Sequence, residues 1–429
     1  MISRTEQIIK VIDFWKKNAE QGLLHPRSTL DNMDLKSKEI VDLLGPRRSG
    51  KSSLLKLIAR KVRPNGFLFI NFEDPFFVEN QDPGIIEEIL AVFYEYYSPD
   101  LSYLLFDEIQ GIPQWERYLR KLRDTEKYRI FVTGSSASLL SREIAALLTG
   151  RHLSYPVFPL SFKEFLQFKE VEIKNKKDLV LKESMIKKRF ADYLQIGGFP
   201  EVVLTGKQEL LKNYFFDIIQ RDIMMRHSVR ETKILEKVAV YTLTHSAKII
   251  SIEALKKTFD SSFALITAYL EYLKEAFLIC ELPQFSYSLK KQEKALKKIY
   301  AIDTGLAEWV SFKFSEDKGR MLENVVFLQI KRMQKEIYYY KTRNHLEIDF
   351  MIREKNKIQN LIQVSWTLED IKVKDREVKS LVEGMKELKI EEGLILTYEE
   401  EGEIQLGKYK ITIKPVYRWL LEADLAGSR

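Results

Sequence analysis

The stretch "LLGPRRSGKSSLL", residues 43–55, decides how the first third of the chain folds. Gly45, Gly50, Lys51 and Ser52 satisfy the spacing G-x-x-x-x-G-K-[ST], and the flanking residues have the required character. Ile40, Val41, Leu43 and Leu44 read as a buried parallel strand, and Leu54, Leu55, Leu57 and Ile58 recur at helical spacing. Strand, glycine loop and helix together make a phosphate-binding loop: backbone N–H groups turn inward and the helix dipole adds positive charge. Lys51 then bridges the β- and γ-phosphates, and the Ser52 hydroxyl ligates Mg²⁺. The loop through Pro46, Arg47, Arg48, Ser49 and Ser53 is the expected ATP-binding segment. Arg47 and Arg48 contact either phosphate or a neighbouring element. No Asn-Lys-x-Asp guanine-reading motif occurs, which favours ATP over GTP.

Such a site needs a second metal-side carboxylate and a group that polarises water. "YLLFDEIQ", residues 103–110, offers both at the end of an apolar strand: Asp107 for Mg²⁺ and Glu108 for the attacking water. A third strand, "YRIFVTGSS" (128–136), ends in Thr133, Ser135 and Ser136, where open α/β sheets bind ligand. One of these is expected to sense the γ-phosphate. "INFEDP" (70–75) places Asn71, Glu73 and Asp74 either near this site or as loop caps.

The motifs "GPRRSGKSS", "INFEDP", "FDEIQ", "TGSSASLLSREIAALLTGR" and "FPLSFKEF" resemble a prokaryotic and archaeal ATPase family related to AAA+ proteins. "GGFPEVV", "IIQRDI" and "IYAIDTGLAEWV" extend the resemblance over nearly the whole chain. It implies a mixed α/β architecture: a P-loop NTPase parallel-sheet core, a helical lid, a winged helix and an α/β restriction-endonuclease-like C-terminal domain. The boundaries expected are 1–158, 159–230, 231–310 and 311–429. The resemblance makes Arg151, the Arg of "LTGR", an arginine finger or sensor, in cis or from a neighbouring subunit. The other reading is a surface ion pair.

Composition narrows the classes. The 429 residues carry 69 Lys and Arg against 62 Asp and Glu, a net charge of +7, and hydrophobic residues make up 45%. This is a folded multidomain chain, mildly basic, without a membrane-length apolar run or a secretory signal. Its single cysteine, Cys280, allows no internal disulfide, and a cytoplasmic location is expected. No His/Cys metal spacing and no Ser-His-Asp signature is evident.

In the second half, Ser161 and Glu164 form a capping box, and residues 209–227 read as one amphipathic helix of the lid. Gly197 and Gly198 are a hinge or a plain connector. Residues 250–279 read as a helix-turn-helix, followed by two strands that flank a wing, 288–298. The wing lysines Lys290, Lys291, Lys294, Lys297 and Lys298 suit phosphate contacts, so non-sequence-specific DNA is the expected partner, with oligomers also in view.

The nuclease-like resemblance predicts a helix Glu, a strand Asp and then E-x-K. Glu323, Glu347 and Asp349 stand where acids are wanted, but Gln363 and Ser365 replace Glu and Lys. The domain is therefore expected to be catalytically inactive, or weakly active if Lys341 substitutes. The function expected is a Mg²⁺-dependent ATPase acting on DNA, with branched junctions as one target. The alternatives are a nucleotide-controlled switch for a protein partner and an ATP-regulated nuclease.

Overall fold

A computed structural model describes residues 2–63, 66–134, 151–311, 318–355 and 357–426, of which 423–426 are described by backbone alone. The chain divides into two compact units, 1–158 and 159–429.

The first unit is built on five parallel strands: β1 (Ile40–Leu44), β2 (Phe67–Asn71), β3 (Tyr103–Asp107), β4 (Arg129–Gly134) and β5 (His152–Pro156). Their spatial order is β2-β3-β4-β1-β5. Strands β1 to β4 are apolar nearly throughout because helices cover both faces, as a parallel sheet requires. Helix Lys51–Val62 buries Leu54, Leu55 and Ile58 against β1 and β3, and helix Arg4–Glu20 adds Ala19 to the same core. Each such aliphatic contributes about 1.5–3 kcal/mol on leaving water. One polar residue, Asp42 in β1, is buried beside His152 Nδ1 (3.0 Å) and the Ser154 hydroxyl of β5. Burial raises its pKa, and those two partners oppose the shift.

The second unit contains two sheets. Antiparallel strands β6 (Lys248–Ile250), β7 (Ile279–Leu282) and β8 (Lys297–Ala301) lie in the order β6-β8-β7 beside helices Ile252–Thr258 and Phe263–Glu275. The expected wing is not an open hairpin: Leu289–Lys294 forms a short helix between β7 and β8. The larger sheet comprises β9 (Glu336–Lys341), β10 (Glu347–Glu354), β11 (Lys357–Val364), β12 (Glu392–Thr397), β13 (Gly402–Leu406) and β14 (Tyr409–Pro415). Its order is β13-β14-β12-β11-β10-β9, with helix Ile371–Leu388 packed on one face through Leu381 and Met385.

Residues 159–230 cluster within this second unit. The long helix expected over 209–227 is α-helical only to Asp217 and continues as a π-helical turn, Ile218–Met224. Gly197 and Gly198, the expected hinge or connector, join helix Glu183–Ile196 to helix Pro200–Thr205. Both are buried, and the Gly198 N–H donates to Asp303 Oδ2 at 2.6 Å while Asp303 Oδ1 accepts the Leu306 N–H at 2.8 Å. This corner is tied by hydrogen bonds to Asp303.

Candidate nucleotide site and a buried carboxylate cluster

The glycine loop leaves the C-terminal end of β1 and enters helix Lys51–Val62 directly. Gly50, with φ of +96°, begins that helix in a left-handed conformation that L side chains avoid. Gly45 is required for another reason: a Cβ there would stand 2.1 Å from the Val157 carbonyl oxygen. Inside the loop the buried Lys51 ammonium donates to the Gly45 and Pro46 carbonyl oxygens, both at 3.0 Å. Ser49 is buried too, and its hydroxyl oxygen has no hydrogen-bond partner. Ser53 and Arg48 are exposed, Arg48 at φ of +68°, and Arg47 lies 3.5 Å from Glu73.

The two carboxylates arrive from β3. Asp107 is held from several directions: by the Asn71 amide at 2.8 Å, by the Thr133 hydroxyl, and by Ser52. Burial, then the neighbouring Glu108, pushes its pKa up to about 6, against the opposing pull of Thr133, Ser52 and Lys51. Glu108 adopts φ of +52°, a conformation costing a non-glycine residue roughly 1–3 kcal/mol. Its N–H donates to Thr133 Oγ at 3.0 Å, and Gln110 donates to its carboxylate. Ser52, Lys51, Asp107 and Glu108 therefore converge at the C-terminal ends of β1 and β3.

Thr133, Ser135, Ser136 and Arg151 were also expected at the site. Thr133 is wholly buried, and its hydroxyl donates to Asp107 and accepts the Glu108 N–H. Ser135 and Ser136 lie outside the described residues. Arg151 precedes β5 at the opposite end of the sheet, where its carbonyl accepts the Ile40 N–H and its guanidinium meets both oxygens of Asp124 at 3.1 Å. A finger role in cis is excluded by that placement; the ion-pair reading describes what is seen. Sequence reasoning missed Arg27. Buried and 22 residues before Ser49, it donates to the Ser49 carbonyl at 2.7 Å and to the Phe158 carbonyl at 2.8 Å.

Residues 37–166 match the family described as an AAA domain, and 187–317 and 318–418 match two domains of unknown function. An uncharacterised protein of Methanocaldococcus jannaschii is 36% identical over 435 residues, 94% of this chain and 96% of the relative. Another, from Haemophilus influenzae, is 30% identical over 361 residues, 79% of this chain and 88% of its own length. The chain belongs to this AAA-domain family. Among solved structures, the Thermotoga maritima RuvB Holliday junction branch migration motor is similar at 16% identity, covering 66% of this chain and 90% of that one. Its TM-score of 0.27 is too low to carry a functional argument.

In this member of the AAA-domain family, the second unit holds a different cluster. Glu323 on helix Lys318–Arg332 and Glu347 and Asp349 on β10 all face one ammonium, that of Lys298 on β8. The separations are 3.0, 2.7 and 3.1 Å, and Lys298 is only 2% exposed. Its assignment to a DNA-binding surface is therefore corrected. Lys297 is also engaged, 2.8 Å from Glu281, while Lys290, Lys291 and Lys294 are exposed. Lys341, the expected substitute, reaches only Glu347, at 3.9 Å. Gln363 binds Glu377 of helix Ile371–Leu388, and the Ser365 hydroxyl donates to the Thr367 carbonyl at 2.8 Å. No helix among the described residues is long and apolar enough to cross a membrane.

Proposed function

We propose that the first unit binds and hydrolyses ATP with Mg²⁺. The observation that carries this is the convergence of Lys51, Ser52, Asp107 and Glu108 at one edge of the parallel sheet. The residues fit the ligand: the Ser52 and Asp107 oxygens are hard donors of the kind magnesium takes, and the partnerless Ser49 hydroxyl lies in the loop. Magnesium would supply charge neutralisation on the phosphates as the γ-phosphoryl departs. Lys51, released from its two loop carbonyls, would bind the β- and γ-phosphates. Glu108 would orient water, its backbone pinned by Thr133 and its carboxylate aimed by Gln110. Turnover lost in Lys51→Ala tests the assignment; a fully active variant overturns it.

We propose further that hydrolysis is coupled to DNA, bound through its backbone, branched forms included. Support comes from a groove in the second unit lined by Tyr287, Gln292, Arg353, Lys357 and Lys389, beside the exposed Lys290, Lys291 and Lys294. Basic groups next to an aromatic face suit phosphate contact with base stacking. Turnover stimulated by duplex, single-stranded or junction DNA, and weakened as salt rises, tests this; a rate indifferent to all three counts against it. The exposed Tyr287, Leu289 and Leu296 favour a second reading, a nucleotide-controlled switch that docks a protein. Salt-insensitive binding would select it.

A further inference from the structure

The carboxylate cluster of the second unit decides whether that unit can use a metal. A metal site of three acids needs oxygens that are free and converge on an empty point. Here the point is filled. Lys298 Nζ lies within 3.1 Å of an oxygen from each of Glu323, Glu347 and Asp349. Further donors hold the same acids: the oxygen of Glu323 that meets Lys298, Oε1, also accepts the Tyr300 hydroxyl at 2.6 Å, and Asp349 Oδ2 accepts the Val364 N–H at 2.9 Å. Among the described residues, no group of three or more His, Cys, Asp and Glu side chains is arranged to hold a metal.

The chemistry of the position explains why the ammonium stays. Three acids brought together in a buried place repel one another, and a cation must intervene or the acids must take up protons. Burial opposes the charge on Lys298, yet Tyr300, Glu323, Asp349 and Glu347 together hold its pKa well above the ordinary value. β8 presents Lys298 and Tyr300 on the same face, two residues apart, and both meet Glu323. The side chain is thus delivered by a strand of one sheet to acids carried by a helix and by a strand of the other.

We propose that Lys298 is a covalently attached substitute for a divalent cation. Its ammonium takes the place a metal would occupy among Glu323, Glu347 and Asp349, and the second unit works without metal chemistry. The cluster then serves as a clamp between β8, helix Lys318–Arg332 and β10. A nuclease reading of this unit fails on the same ground, while the ATPase reading of the first unit is unaffected.

The test is Mn²⁺ binding to full-length, nucleotide-free protein, followed by electron paramagnetic resonance. Wild type is expected to take up no Mn²⁺ at this cluster. Lys298→Ala, which vacates the position and leaves three acids, is expected to bind one Mn²⁺ per chain, and adding Asp349→Asn should abolish it. Lys298→Met, which fills the space without charge, should bind far less. Uptake by wild type that Asp349→Asn removes would overturn the proposal. So would a folded Lys298→Ala protein that binds none, or metal-dependent DNA cleavage by wild type that Lys298→Ala abolishes. Should Lys298→Ala fail to fold, Mn²⁺ in the refolding buffer is expected to restore it where Na⁺ of equal ionic strength does not; no rescue would equally overturn the idea.

Discussion

Replacing Thr133 by valine removes one hydroxyl and nothing else of consequence in shape. That hydroxyl donates to Asp107 and accepts the Glu108 N–H, and no solvent reaches it. Losing a donor to an ionised group costs roughly 1.5–3 kcal/mol, and leaving a buried N–H without a partner costs about 1–3 kcal/mol. The two losses share one atom and do not add fully, so about 3 kcal/mol is expected. For a unit the size of residues 1–158, each kcal/mol corresponds to about 2–4 °C in Tm, giving a fall of roughly 6–12 °C. The loss should depend on pH with a defined sign. The Asp107 pKa is raised from 3.8 to about 6, so its stabilising contribution is complete below 3.8 and disappears as pH rises through about 6. Thr133 opposes that rise. Valine therefore lifts the pKa further, and the gap between variant and wild type widens from pH 5 to pH 7.5. Calorimetry on nucleotide-free protein measures this, following the transition that ATP shifts upward. Thr133→Ser, which keeps the hydroxyl, is the control and should stay near wild type. A valine variant melting within 1 °C of wild type at pH 7.5 would refute the reasoning.

Other expectations follow from the same geometry. Glu108→Gln should retain ATP binding and lose turnover by about 10²–10⁴-fold, the usual worth of a positioned base; normal turnover would move that role elsewhere. Arg27→Met removes two hydrogen bonds that tie the Ser49 and Phe158 carbonyls together. It should weaken ATP affinity, read by titration with a fluorescent analogue, although Arg27 precedes Ser49 by 22 residues; unchanged affinity would deny it a part in shaping the loop. Burial pushes the Cys280 thiol up to about 11, so at pH 8 about one in a thousand is thiolate. A thiol reagent should react slowly with native protein and promptly after denaturation.

The glycine loop and the acids at 107 and 108 were legible because each is a short local pattern whose chemistry depends on immediate neighbours. The parallel sheet followed from the same apolar runs. What could not be read was anything set by distant contact. Arg27 sits in a stretch with no pattern, and only the fold brings it to the loop. Thr133 was placed at the right strand end, yet its partners, Asp107 at the end of β3 and Glu108 just beyond it, lie 26 and 25 residues away. Lys298 misled most. In a run rich in lysine it reads as solvated, but strand alternation makes Lys298 share a face with the apolar-bodied Tyr300, and that face is interior. Arg151 shows the reverse case: strand register sets it at the far end of the sheet, away from its own glycine loop, which speaks against the role in cis.

The position of Lys298 bears on where the chain divides. The C-terminal match spans 318–418, yet the positive charge at the centre of its acid cluster comes from residue 298, in the preceding domain. A fragment starting at 318 would carry Glu323, Glu347 and Asp349 with no counter-ion from its own strands except the more distant Lys341. The two C-terminal domains are thus electrostatically interdependent. They are separable as sequence but not as charge, and exchange of either between relatives would succeed only where the lysine and its acids travel together.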